Sequence, residues 1–339
     1  MKVVSLSMVR NEADIVESWV RYHAEQLDFM AIVCNRSADN TREILTALAE
    51  EGLPLELHDR EALDYAQSDV MTSLMRDVAR RHRPDWLIPL DADEFLASRT
   101  TQTARSAIAA LPAERVARLD MPPYLPCEDD PPDSNVLKRI RRRTALPAED
   151  DLSDERARKV IFPLAFAKRN GTRIAAGNHW LIAEETGNLL QSSPIADPFL
   201  AHFPIRSTEQ IRTKAAGSWI SLLATPDAPP GLADHWRGVY DALHERDRLD
   251  VAALRSLALY GVLDGPPVDV AALELAPLTA QFDLRYDQRP ADSDAVVRDS
   301  AVAYAELVAD LRAPSPARRR ARDAARLSRR ALRRLGLHG

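Results

Sequence analysis

Apolar and polar positions switch between two spacings along the first hundred residues. Lys2 to Met8 is an apolar, β-compatible run, and Ala13 to Leu27 then sets Ile15, Trp19, Tyr22 or His23, and Leu27 at helical spacing. Phe29 to Cys34 is a second short apolar run, Asn35 to Asn40 a polar turn, and Thr41 to Glu51 a helix stopped by Gly52. Leu55 to His58 reads as a third strand. Ser68 to His82 reads as a helix capped by Ser68 or Asp69, and Trp86 to Leu90 as a fourth strand. Strands separated by helices of this length imply right-handed crossovers and a mostly parallel sheet. The expected fold class is therefore α/β, with helices flanking that sheet.

Beyond residue 120 the pattern loosens. Residues 122–135 are rich in proline and acidic side chains, which predicts a loop. Residues 141–158 are charged, Arg141-Arg142-Arg143 being followed by Glu149-Asp150-Asp151. Lys159 to Lys168 resumes a strand pattern, and Leu181 to Ala183 and Phe199 to Phe203 are further short strands. Ser207 begins a helix, with Ser207 and Gln210 as a capping box and Ile211, Ala215, Ser218 and Leu222 along one face. A proline-rich stretch at 226–230 marks a boundary. The expected organisation is an α/β domain over residues 1–225, a mainly helical C-terminal extension over 226–312 and a basic tail over 313–339.

Composition narrows the setting. The 339 residues are 45% hydrophobic and 28% charged, enough for a sizeable core. No apolar run approaches the ~20 residues that span a bilayer. The first eight residues are too short and interrupted for a signal peptide and read as a strand. Cys34 and Cys127 lack metal-type spacing, so a reducing, cytoplasmic setting without a disulfide framework is expected. The net charge of −6 hides an asymmetry: from Ala313 onward there are nine arginines and one aspartate. The acidic remainder argues against nucleic acid as a partner. The arginine tail has two readings. One is a solvated segment. The other, with Leu327, Ala331 and Leu335 along one side, is a peripheral contact with anionic membrane at its inner face.

The strongest chemical signal is Asp91-Ala92-Asp93-Glu94-Phe95, directly after the fourth apolar run. Carboxylates just past a strand end lie where open α/β sheets place their ligand crevice. Two aspartates one residue apart can surround one hard divalent cation, Mg²⁺ or Mn²⁺, which in turn grips a diphosphate. The cation offsets the repulsion and lost hydration of the carboxylates. Plainer readings stand beside this one. Asp91 and Asp93 form a solvated turn, Asn11 and Glu12 cap a helix, Asp39 stabilises an Asx turn, and His179 and His202 are structural histidines.

Several segments, in order, resemble those of family 2 glycosyltransferases of the GT-A fold. Met8-Val9-Arg10-Asn11-Glu12 resembles their strand-end Asn-Glu segment. Cys34-Asn35-Arg36-Ser37-Ala38-Asp39-Asn40-Thr41 resembles their nucleotide loop, and Leu90 to Phe95 their D-x-D motif in the D-x-D-E-F form of one subgroup. Gly177-Asn178-His179 and His202 to Gln210 resemble further segments of that subgroup. The resemblance covers residues 1–220. It implies an NDP-sugar donor, with Asn11, Glu12 and Asp39 bordering base and ribose. Asp91 would touch ribose and metal, and Asp93 would be the more direct metal ligand. His202 would complete the metal shell, and Arg206 and Lys214 would neutralise the diphosphate. The acceptor would be a hydroxyl of a glycan, a lipid-linked sugar or a small molecule. Inversion in one displacement needs a single base, for which the candidates are Glu94, then His179, then Glu185. Two rivals remain. A haloacid dehalogenase-type phosphatase also uses D-x-D, but on its first strand and with Thr or Val soon after. A non-catalytic sugar-nucleotide or glycan-binding module would keep the fold without turnover.

Overall fold

A computed structural model describes residues 1–64, 66–100, 102–146, 158–225, 234–246 and 248–311. The acidic stretch Glu149-Asp150-Asp151, the proline-rich 226–230 and the arginine tail at 313–339 lie outside the described residues. The N-terminal half runs β1 (Val3–Val9), α1 (Val16–Ala24), β2 (Phe29–Asn35), α2 (Thr41–Glu50), β3 (Leu55–Arg60), α3 (Gln67–Arg81) and β4 (Trp86–Pro89). This is the alternation that the periodicity predicts. Then come β5 (Glu94–Ala97), α4 (Ala104–Ala109), β6 (Val116–Asp120), β7 (Tyr124–Leu125), α5 (Val136–Arg139) and β8 (Arg142–Arg143). The strand-rich part closes with β9 (Arg158–Pro163), α6 (Leu164–Ala167), β10 (Thr172–Ile174), β11 (Leu181–Ala183), β12 (Ser192–Ile195) and β13 (Phe199–His202).

Seven strands form the main sheet in the order β12-β6-β9-β4-β1-β2-β3. β1 pairs in parallel with β2 and β4, β2 with β3, and β6 with β12. Only β9 runs against its neighbours, β4 and β6. The sheet is therefore mostly parallel and flanked by helices, as expected. Side chains along β1 serve both faces: Val3 and Val9 pack toward α1 and α2, Val4 and Leu6 toward α3. Among the strands that escape the sequence patterns are β5, β6 and β12, and the two-residue β7 lies within the stretch 122–135 expected as a loop. One cap also differs. Ser68 does not cap α3; its hydroxyl donates to the Ile174 carbonyl at 2.6 Å, tying α3 to β10.

After β13 the chain forms α7 (Thr208–Leu223), α8 (Asp234–His244), α9 (Val251–Tyr260), β14 (Glu274–Leu275) and α10 (Ser293–Leu311). Ser207 caps α7 by accepting from the Gln210 N–H at 3.1 Å. The Gln210 carboxamide returns to the Arg206 N–H at 3.2 Å, one residue earlier than a capping box requires. Val239, Leu243, Leu254 and Leu257 pack with Ile211 and Ala215 of α7, and Val296 packs on Ala216. β14 pairs with β8. Residues 285 and 286 then reach α1, where both backbone N–H groups donate to the buried Glu17 carboxylate. Among the described residues no helix is long and apolar enough to cross a membrane.

Candidate active site

From β1 the chain moves outward through β2 to β3, then returns to the other side of β1 as β4. That reversal opens a crevice at the carboxyl ends of the strands. A cleft of about 260 Å³ lies there, lined by the ends of β1, β2 and β4, by His202 and by one face of α7. Asn11, Glu12, Asp91, Asp93, His202 and Lys214, all expected from the sequence, line it together. Small residues on α7, Gly217, Ser218 and Ser221, leave it room.

The two N-terminal motifs are built into each other. Asn11 sits at φ 55°, a left-handed conformation that asparagine tolerates. Its side-chain oxygen accepts from the Ala38 N–H at 2.7 Å, and its own N–H donates to Ser37 Oγ at 3.1 Å. The Glu12 N–H donates to Thr41 Oγ1 at 2.8 Å. Asp39 accepts from the Ala13 and Thr41 N–H groups at 3.0 and 2.9 Å. Both of its oxygens serve the backbone and it does not line the cleft, so the Asx-turn reading describes where it lies. Burial raises its pKa, against those hydrogen bonds.

The acidic motif splits its three carboxylates between two lysines. Asp93, 5% exposed, meets Lys214 Nζ at 2.8 Å, His202 Nε2 at 3.7 Å and Arg206 Nη1 at 3.9 Å. Burial pushes its pKa up, but the charges of Lys214, His202 and Arg206 hold it well below the usual carboxylate range. Glu94 opens β5, opposite His202 of β13 in the antiparallel register. It is buried and bonded to Lys159 Nζ at 3.0 Å and to the Asp91 N–H at 3.0 Å. Burial raises its pKa to about 7, with Lys159 opposing. Lys159 also donates to Asp91 Oδ2, and Asn178 Nδ2 donates to Asp91 Oδ1 at 3.0 Å.

Three of the expected residues stand apart from the cleft or from its converging groups. Arg206 does not line the cleft. Its guanidinium has no exposure and lies beneath the cleft, donating to Glu12 at 2.5 Å, to Asp14 at 2.7 and 2.9 Å, and to the Phe203 carbonyl at 3.1 Å. Asp91 lines the cleft, but among the described residues the groups whose donor atoms lie within 4.8 Å of one another are Asp93, Glu94 and His202. Glu185 lies in the exposed turn after β11 and does not reach the cleft. His179 is half-buried outside the cleft lining. Its Nδ1 bonds the Arg158 carbonyl at 2.9 Å, which leaves Nε2 as the acceptor nitrogen of the neutral ring. Burial and the Lys159 charge lower its pKa. Gly177 precedes it at φ +78°, and a Cβ there would sit 2.7 Å from the ring, so this turn requires glycine.

Arg10 and Lys159 are additions to the expected set. Arg10 lines the cleft and donates to Ser221 Oγ at 2.5 Å. Lys159 follows Arg158 and opens the apolar part of β9, and a buried charge there requires a partner; that is the signal for it.

The residues fit a divalent cation. A buried carboxylate and an imidazole, Asp93 and His202, with the Glu94 carboxylate close behind them, suit Mn²⁺ or Mg²⁺. The ion-paired cluster of Asp91, Asp93, Glu94, Glu12 and Asp14 with Lys159, Lys214 and Arg206 also keeps two formal negative charges.

No family model and no curated protein matches the chain. Among solved structures it is similar to S. aureus TarS, at 14% identity over 72% of this chain, with a TM-score of 0.40. The chain spans 43% of the length of that TarS structure. Against TarS 1–349 the identity is 14%, with 78% of this chain and 76% of that one covered and a TM-score of 0.40. A mannosyltransferase from Pyrobaculum calidifontis, PcManGT, in complex with GDP-Man and Mn²⁺, is similar at 16% identity. There 96% of this chain and 80% of that one are covered, with a TM-score of 0.36.

Proposed function

We propose that the chain is a GT-A-type glycosyltransferase that uses Mn²⁺ or Mg²⁺ to move a sugar from an NDP-sugar to a hydroxyl acceptor, with inversion. One observation carries this reading. Asp93 is held ionised and buried at the crevice where the parallel strands end, with His202, Lys214 and Arg10 around a single cleft. Bound divalent cation supplies Lewis-acid stabilisation of charge on the departing diphosphate. Asp93 and His202 would hold it, with Glu94 behind them. Lys214, whose side chain is 29% exposed, and Arg10 supply charge-assisted donors for phosphate oxygens. Asn11 and Glu12 border the nucleoside end.

His179 is the base we favour. Its Nε2 lone pair has no partner among the described residues, and its lowered pKa keeps that nitrogen unprotonated at neutral pH. Glu94 has both oxygens engaged. The acceptor is a glycan, lipid-linked or small-molecule hydroxyl, and the setting is cytoplasmic.

A second reading has one observation in its favour. None of Glu94, His179 and Glu185 lines the cleft, which suits a sugar-nucleotide-binding module without turnover. Incubation with Mn²⁺ and a panel of sugar nucleotides, with nucleoside diphosphate release followed, separates the two. Metal-dependent release that disappears in Asp93→Asn is expected. Saturable binding without release, across glycan and lipid-linked acceptors, would establish the module instead.

A further inference from the structure

Lys159 is 2% exposed, in a strand whose next residues, Val160, Ile161 and Phe162, are all buried. A lysine so placed persists only if its ammonium is paired and hydrogen-bonded. The partners are Asp91 Oδ2 and Glu94 Oε1. The remaining oxygens of those two carboxylates are also taken, by Asn178 Nδ2 and by the Asp91 N–H. All four oxygens therefore have a donor supplied by the chain itself.

Asp93 differs. Its close cation, Lys214, and its imidazole neighbour, His202, are 29% and 24% exposed, so both have room to turn. Lys159 does not, because it is buried and its stretch of β9 is paired with β6, Lys159 opposite Leu119.

We propose that Lys159 is a positioning residue: a resident ammonium that occupies Asp91 and Glu94 and leaves Asp93 and His202 as the protein's whole share of a metal shell. The inference rests on the divalent-cation reading above and deepens it. Mg²⁺ and Mn²⁺ take about six ligands. A protein offering two leaves most positions to water and to the donor's phosphate oxygens. The metal is then retained by the nucleotide more than by the protein, and the two bind as a unit.

The test is Mn²⁺ titration by electron paramagnetic resonance on the full chain, alone and with UDP or GDP. The wild type and Lys159→Met, Asp91→Asn and Asp93→Asn variants are compared, with melting curves in parallel. Wild-type protein is expected to bind Mn²⁺ about tenfold or more tightly with nucleotide than alone. Lys159→Met frees two carboxylates and removes a nearby positive charge, so it is expected to bind Mn²⁺ alone about tenfold or more tightly than wild type. Its melting temperature should fall without metal and recover with Mn²⁺, a rescue that a purely structural lysine would not show. Asp91→Asn should change Mn²⁺ affinity by less than about threefold, whereas Asp93→Asn should abolish binding. A folded Lys159→Met protein that binds Mn²⁺ no more tightly than wild type overturns the inference. If that variant does not fold, Asp91→Asn decides, and a loss above about tenfold overturns it. Absence of Mn²⁺ binding by every form, with either nucleotide, removes the cation reading itself.

Discussion

Replacing Arg206 with methionine separates two roles for the same side chain. Sequence resemblance assigns it to the diphosphate, whereas the structure assigns it to the foundation under the cleft. The guanidinium is fully buried and makes four N–H···O bonds: two to Asp14, one to Glu12 and one to the Phe203 carbonyl. Methionine fills much of the volume but strands both carboxylates. Removing one partner of a buried ion pair costs about 3–5 kcal/mol, mostly because the other charge stays behind. Glu12 and Asp14 retain 14% and 21% exposure, so water relieves part of that. The lower end, about 3 kcal/mol, is therefore expected, a factor of about 10² in the folded-to-unfolded ratio. Urea unfolding followed by tryptophan fluorescence should show a lowered midpoint at unchanged slope. Arg206→Lys keeps the charge without the two-pronged geometry and should fall between the two. If Arg206→Met stays within about 1 kcal/mol of wild type while donor affinity collapses, the side chain faces ligand and the foundation role is wrong.

Two further perturbations probe the histidines. His179→Gln should lower turnover about 10²–10⁴-fold with the donor KM unchanged; the wild-type rate should fall on the acid side only below the ordinary imidazole pKa, because the base is needed neutral and its pKa is lowered, and the variant should lose that limb. A turnover within about twofold of wild type would exclude it as the base. His23 is buried, with Nδ1–H donating to the Trp19 carbonyl at 2.9 Å and Nε2 accepting from the Leu96 N–H at 3.1 Å, a pattern that only the neutral ring satisfies. Burial lowers its pKa to about 3, so below pH 6.5 the unfolded chain binds a proton that the folded chain refuses, and stability falls as pH falls. About 2 kcal/mol should be lost between pH 6.5 and 5, and His23→Leu should lack that part of the slope in urea titrations.

The first ninety residues were legible because each strand and helix there carries its own period and stop signal, as Thr41 to Gly52 does. β5, β6 and β12 were not. Glu94-Phe95 reads as the end of an acidic motif, and its strand identity comes from pairing with residues a hundred positions later. The cleft-lining residues Asn11, Glu12, Asp91 and Asp93 were legible because strand ends in a parallel sheet converge on one edge. The burial of Arg206 was not legible, for a physical reason. A cation near an acidic motif invites a phosphate, but nothing local indicates that Glu12 and Asp14, some 190 residues earlier, already hold it. Lys159 had a visible signal, a charge opening an apolar run, without any indication of which carboxylates it would meet.

Glu17 has a consequence for how this chain can be divided. Its carboxylate is inaccessible to solvent, and two of its three donors are the N–H groups of Arg285 and Tyr286. A polypeptide trimmed at residue 225 would keep every strand of the main sheet yet leave that carboxylate with Arg21 alone and bare α1 on one side. The α/β portion is thus not a portable module. The late segment acts as a clasp, and any excision or graft must carry it along or replace Glu17 with an apolar side chain.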